Sequence, residues 1–287
     1  MEKEIMDIVY ERSMENKFLT DDDTLKILKL FKSMYNLGDQ LTNLTIASGS
    51  TLPRVCSYDH KDKKIVVYKA NMNAKKDLFT DTYGGFLQGD FVLFYNLFYV
   101  SCLLHEVRHA MEKTLVIDSL ATELVAREYE VLHDPNRYDN LGYSSEEIEA
   151  FSRWDRHCYH TFYDFLPSER LANISSLKSV IEMANNDERF SSKIKDVFTY
   201  MLCLRRLQKY PKNLLPPTIK FIIEGMRLDQ FDDLSIFDKE SGKLLHDTTE
   251  HSLDERLEAG LFLTQEEYDS ILENTLELNN IVVRQRK

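Results

Sequence analysis

The strongly apolar stretch FVLFYNLFYVSCLLHEVRHAMEK, residues 91–113, carries two histidines four residues apart. Its apolar part, residues 91–104, is shorter than the roughly 20 residues that a membrane-spanning helix needs, and Asn96 interrupts it. The stretch therefore predicts a buried core helix. Residues four apart lie on one face of a helix, so His105 and His109 can direct their ring nitrogens to the same point.

The residues before this stretch predict two helices and a small sheet. Apolar residues recur three and four apart up to about Leu37, and residues 20–23 supply capping residues for the second of two amphipathic helices. RVCSY (54–58) and KIVVY (64–68) flank a polar segment and predict a hairpin or two adjacent strands. TDTYGGFLQGD (80–90) has the composition of a loop.

The residues after this stretch are predicted to be mainly helical. LPSERLANISSLKSVIEMA (166–184) has a proline where a helix can begin, and a further helix is expected from Thr264, with Glu267 at its capping-box position. The expected fold is a predominantly helical α+β protein with a small β-sheet. We expect one domain over residues 1–187 and a mainly helical extension over residues 188–287.

Composition limits the classes of partner. The 287 residues carry a net charge of −12, which argues against a protein that grips phosphate backbones, so nucleic acid is not an expected partner. The four cysteines lack a C-x-x-C pair, which favours reduced thiols. The amino terminus lacks the pattern of a signal peptide, and no membrane partner is expected. These features together predict a cytoplasmic protein.

The sequence HEVRH at 105–109 has the spacing of a zinc-hydrolase site. Zinc with three protein ligands keeps a fourth position for water and lowers the pKa of that water to about 7. Glu106 follows the first histidine directly and can act as the general base. Burying two histidines in an apolar segment is costly unless they are paired or ligated, which favours a site over a coincidence.

Through HEVRH and the candidate strands before it, the sequence resembles the zincin metallopeptidases. The metzincin pattern fails, because Glu112 and Leu115 stand where that branch has glycine and a further ligand. What remains resembles the branch whose third ligand is a glutamate on a later helix, and the compact members found in bacteria and mobile elements. The resemblance implies a mainly helical zincin-like core with His105 and His109 as Zn²⁺ ligands.

The third ligand and the oxyanion donors are expected further along the chain. YDFLPSERLAN at 163–173 is similar to a segment that recurs in compact members of this family, and it makes Glu169 the expected ligand; Glu123 is the rival. A helix that begins at Pro167 would hold Glu169 in its first turn. Aromatic and histidine side chains just upstream could donate to the developing oxyanion: Tyr159, His160 and Tyr163.

The resemblance implies a peptidase that acts on a protein or peptide. Glu106 would activate a zinc-bound water for attack on the scissile carbonyl. An exposed edge of the sheet at 54–58 and 64–68 could bind an extended peptide by adding it as a strand.

Two other classes of function stay open at this point. Glu106 and His109, with Glu130 and His133, give the two Glu-x-x-His pairs of a carboxylate-bridged di-iron bundle, although that arrangement leaves His105 without a role. A non-catalytic interaction protein could also keep the zincin fold. The presence of Glu106 argues against this second alternative, because a structural zinc site needs no general base.

Overall fold

The structure, a computed structural model, describes residues 1–50, 54–112, 167–207 and 265–284. This part of the chain is mainly helical with one small sheet, which confirms the expected fold class at that level. The helices are α1 (Glu2–Met14), α2 (Asp21–Met34), α3 (Lys69–Leu87), α4 (Phe91–Glu112), α5 (Pro167–Asn185), α6 (Ser192–Arg206) and α7 (Gln265–Val282). The strands are β1 (Asn43–Ala47), β2 (Cys56–Asp59) and β3 (Lys64–Tyr68).

The chain groups into two compact units. One comprises Met1–Thr114, Ala172–Leu204 and Glu273–Lys287, and the other comprises Leu115–Leu171 and Arg205–Leu272. The first unit therefore contains α1 to α4 and the whole sheet. The predicted division into a domain at 1–187 and an extension at 188–287 stays a prediction.

The first two helices form where the sequence predicts them, and α2 has a complete capping box. The Thr20 hydroxyl accepts from the Asp23 backbone N–H, and the Asp23 carboxylate accepts from the Thr20 backbone N–H at 2.9 Å. Arg12 of α1 also donates to this carboxylate at 2.7 Å. Burial opposes ionisation of Asp23, but the hydrogen bonds from Arg12 and Thr20 outweigh it and hold its pKa below the ordinary value. Asp23 thus both begins α2 and joins it to α1.

The sheet has the strand order β1-β3-β2, with β3 parallel to β1 and antiparallel to β2. The predicted pairing of the segments 54–58 and 64–68 is confirmed, since β2 and β3 pair from Cys56 opposite Val67 to Asp59 opposite Lys64. Strand β1 was not predicted. Because β3 is the central strand, the two edges of this sheet are β1 and β2.

The expected loop at 80–90 is wrong: α3 continues through Gly84 and Gly85 to Leu87, and a single 3₁₀ turn follows. Phe79, Tyr83 and Leu87 recur every four residues along α3, and all three are buried in the core. Glycine costs about 1 kcal/mol in a helix relative to alanine, and burial of these three side chains exceeds that cost.

Replacing Gly85 by alanine should raise the free energy of unfolding by about 0.5–1 kcal/mol. Gly85 lies within α3 and is exposed, and a Cβ built there meets no atom within 4 Å. Urea denaturation measures the change. Gly38→Ala is the control and should destabilise the protein, because Gly38 has a φ of +48° that disfavours a side chain. Equal effects of the two substitutions would contradict this explanation.

Helix α4 forms the centre of the core, as the sequence predicts. It packs against α1, α2, α3 and strand β2, and Phe94, Leu97, Val100 and Leu103 have no exposed surface. Among the described residues, the segment Lys69–Glu112 is long and apolar enough to cross a membrane. However, 61% of its most apolar 18-residue part is buried within the protein. Core helices share this length and hydropathy, so the observation does not by itself indicate a membrane span.

Asn96 is the polar residue inside this apolar helix, and its amide group is fully hydrogen-bonded. It accepts from the Leu19 backbone N–H at 3.0 Å and donates to the Ser13 hydroxyl at 2.9 Å and the Lys17 carbonyl at 3.0 Å. These groups lie at the end of α1 and in the connection to α2. Asn96 therefore provides hydrogen bonds to the Leu19 N–H and the Lys17 carbonyl, which would otherwise need water as a partner.

The later helices begin close to where the sequence predicts. Helix α5 begins at Pro167, as expected for a proline at a first helical position, and α7 begins at Gln265, directly after the predicted capping residue. Three of the four cysteines, Cys56, Cys102 and Cys203, lie in the described part, where they are buried and no disulfide joins them. The predicted helices at 119–132 and 144–151 lie outside the described residues.

Candidate metal centre

The two histidines and the glutamate of the opening stretch all lie near the end of α4. The helix forms because leucine, phenylalanine and other apolar side chains occupy its surface in every direction and are buried against neighbouring elements. Its Cα positions place His105 and His109 one turn apart on the same face. Packing of the helix therefore fixes the backbone of the site before any ligand is considered.

The two imidazole rings meet edge to face. Nε2 of His105 and Nε2 of His109 are 3.1 Å apart, and the ring planes lie at 77°. Two nitrogen ligands of one tetrahedral zinc, each at 2.0–2.1 Å from the ion, lie about 3.3 Å apart. His105, Glu106 and His109 each offer one possible ligand atom, and these three atoms all lie within 4.8 Å of one another. The residues present thus fit a zinc ion held through the two Nε2 atoms.

Glu106 is 6% exposed. Burial raises the pKa of the Cys56 thiol well above its ordinary value, and the neighbouring Cys102 and Glu106 raise it further. Glu106 thus lies close enough to the first residue of β2 to affect its ionisation. A buried carboxylate beside two imidazoles has the chemistry of a proton acceptor.

Sequence reasoning missed the role of Glu112, which was considered only as a departure from the metzincin pattern. Its Oε1 atom lies 2.9 Å from Nδ1 of His109, and its side chain is fully buried. Histidines that bind a metal usually donate a hydrogen bond from their second ring nitrogen to a carboxylate in this way. The signal in the sequence was a carboxylate three residues after the second histidine, a spacing that brings two side chains together on a helix.

Two further side chains lie near Glu112. Burial lowers the pKa of Arg108, and the Glu112 charge opposes that change. Burial raises the pKa of Tyr58 on β2, and Asp59 and Glu112 raise it further. Glu112 is therefore within electrostatic reach of a guanidinium on its own helix and of a tyrosine on the adjacent strand.

The structure brings together three of the predicted site residues, His105, Glu106 and His109, and they form the one candidate metal cluster within the described ranges. Glu169 lies in the first turn of α5, where the sequence predicts it, and is 5% exposed. Its role as third ligand stays a prediction. The other candidates lie outside the described residues: Glu123, Glu130, His133, Tyr159, His160 and Tyr163.

Comparison with known proteins gives no family for this chain. No family model, no curated protein and no solved structure matches it. Any function must therefore be argued from the site itself, and the zincin resemblance rests on the motif and on the residues around it.

Proposed function

We propose that the chain is a zinc-dependent metallopeptidase with a zincin-like core, in which Glu106 acts as the general base. The observation that carries the proposal is the 3.1 Å separation of the two Nε2 atoms, with a buried carboxylate on the residue after His105. A pair of ring nitrogens at this distance suits one small cation, and zinc prefers such nitrogen ligands.

His105 and His109 would hold the zinc, and Glu169 is the proposed third ligand on the strength of the sequence pattern around Pro167. When bound, zinc polarises a carbonyl and lowers the pKa of a water molecule. The position of both histidines on a buried helix supports the proposal, because the rings need little rearrangement to act together.

Glu106 has a defined task in the proposed hydrolysis. Its carboxylate accepts a proton from the attacking water as oxygen bonds to the scissile carbonyl carbon. It then gives that proton to the amine nitrogen as the peptide C–N bond breaks.

The strand order of the sheet limits which strand can bind a peptide along its edge. β3 has a partner on each side, so the segment 64–68 offers no edge of its own. β2 is an edge strand of the described sheet and packs against α4. We propose that an extended substrate pairs with β2, which would bring its backbone close to Glu106. The net charge of −12 favours neutral or basic substrates through long-range attraction.

Metal analysis of the purified protein tests the proposed centre. Wild type should carry about one zinc per chain, and His109→Ala and Glu169→Ala should each lose it. His60→Ala is the matched control and should retain zinc, because His60 lies in the β2–β3 connection and is not part of the cluster.

The outcomes separate the alternatives. About two irons per chain would favour the di-iron protein that pairs Glu106 and His109 with Glu130 and His133. Full zinc content in Glu169→Ala would overturn the assignment of the third ligand and leave Glu123 as the next candidate. Wild type without any metal would overturn the proposed centre.

A further inference from the structure

We propose that Glu112 is a positioning residue that keeps the ring proton of His109 on Nδ1 and thereby leaves Nε2 to bind the metal. The inference rests on the proposed zinc site. Its geometric basis is the 2.9 Å separation of Nδ1 and the Glu112 carboxylate, on the opposite side of the ring from the Nε2 atom that faces His105. Glu112 itself would not touch the ion or the substrate.

The direction of this hydrogen bond follows from the chemistry of its partners. When Glu112 is ionised, its carboxylate only accepts hydrogen bonds, and Nδ1 of His109 is then the donor. A neutral imidazole carries one ring proton, so a proton on Nδ1 leaves the Nε2 lone pair available. That lone pair is the one directed at the proposed site, 3.1 Å from Nε2 of His105.

Burial explains why Glu112 holds this geometry. Its side chain is fully buried, and a buried carboxylate is costly unless charge and hydrogen bonds compensate it. His109 supplies a hydrogen bond, and Arg108 lies close enough to supply opposite charge. The carboxylate cannot turn toward solvent without losing both, so it restricts the rotation of the His109 ring.

Zinc affinity tests the proposal with the full-length protein. Glu112→Gln keeps the volume and removes the charge. It should raise the Kd for zinc, measured by competition with a chelator, by about 10–100-fold. Circular dichroism should give the wild-type helical signal. Asp23→Asn is the matched control, because Asp23 is also a buried acid that accepts a side-chain hydrogen bond, in this case from Arg12, but it belongs to α2. It should lower thermal stability and leave the zinc Kd within about twofold of wild type.

A second measurement needs no variant. Nitrogen-15 NMR of the histidine-labelled, zinc-loaded wild type should give His109 with a protonated Nδ1 and a metal-bound Nε2. A metal-bound Nδ1, or a Glu112→Gln protein with the wild-type Kd, would overturn the role of Glu112 and leave the zinc site intact. A wild-type protein that binds no zinc would overturn the proposed function and this inference together.

Discussion

Glu106→Gln is expected to leave zinc bound and to lower the rate of peptide cleavage by about 10²–10⁴-fold. Glutamine has nearly the same shape as glutamate but cannot accept a proton from water or carry it to the leaving amine. The two Nε2 atoms that would hold the metal belong to His105 and His109 and are unchanged by the substitution. Cleavage of a mixture of internally quenched peptides, measured beside zinc content, separates the two effects.

Glu182→Gln provides the control for the loss of charge. Glu182 is an exposed glutamate on α5, so the same chemical change there should leave both the cleavage rate and zinc content unaltered. Cleavage by Glu106→Gln at the wild-type rate would contradict the assignment of the general base. A wild-type protein that binds zinc but cleaves none of the peptides would favour the non-catalytic alternative.

Phe94→Ala is expected to lower the free energy of unfolding by about 3–5 kcal/mol. Phe94 has no exposed surface, and its ring centroid lies 5.7 Å from that of Phe79 on α3 and 5.2 Å from that of Phe198 on α6. Alanine would leave a cavity where these three helices meet. Because small proteins are stable by only about 5–15 kcal/mol, this single change should remove a large part of the total.

Chemical denaturation followed by circular dichroism measures the loss, and Phe18→Ala is the matched control. Phe18 precedes α2, is 38% exposed and has its ring against Tyr95, so the same substitution there should cost about 1–2 kcal/mol. Equal losses in the two variants would contradict the view that α4 and its aromatic neighbours are the main source of stability.

The elements that the sequence predicts well are those with a local signal. The periodicity and capping residues of α2, the β-branched residues of β2 and β3, and Pro167 at the start of α5 each depend on neighbours in the sequence. β1 has no such local signal. Its strand conformation depends on parallel pairing with β3, which lies about twenty residues later in the sequence. Gly84 and Gly85 misled the interpretation of α3, since tertiary packing outweighed their low helix propensity.

The same distinction applies to the candidate site. The i, i+4 spacing of His105 and His109 predicts that their rings meet, because one helix carries both. Glu112 could have been found by the same rule, but its importance depends on burial, which the sequence does not state directly. The assignment of Glu169 as a ligand depends on a resemblance to other proteins. Glu169 lies more than fifty residues after His109, so no local rule determines where its carboxylate points.

The location of the site on α4 has a consequence for the lifetime of the protein. The two histidines that would hold the ion, His105 and His109, are part of the helix that forms the centre of the core, so the ion would bind only while that core is intact. A ligand present at 100 times its dissociation constant stabilises the folded state by about 2.7 kcal/mol. Such a gain would lower the unfolded fraction available to cellular proteases about a hundredfold. Zinc supply and protein turnover would then be linked through the helix that carries both histidines.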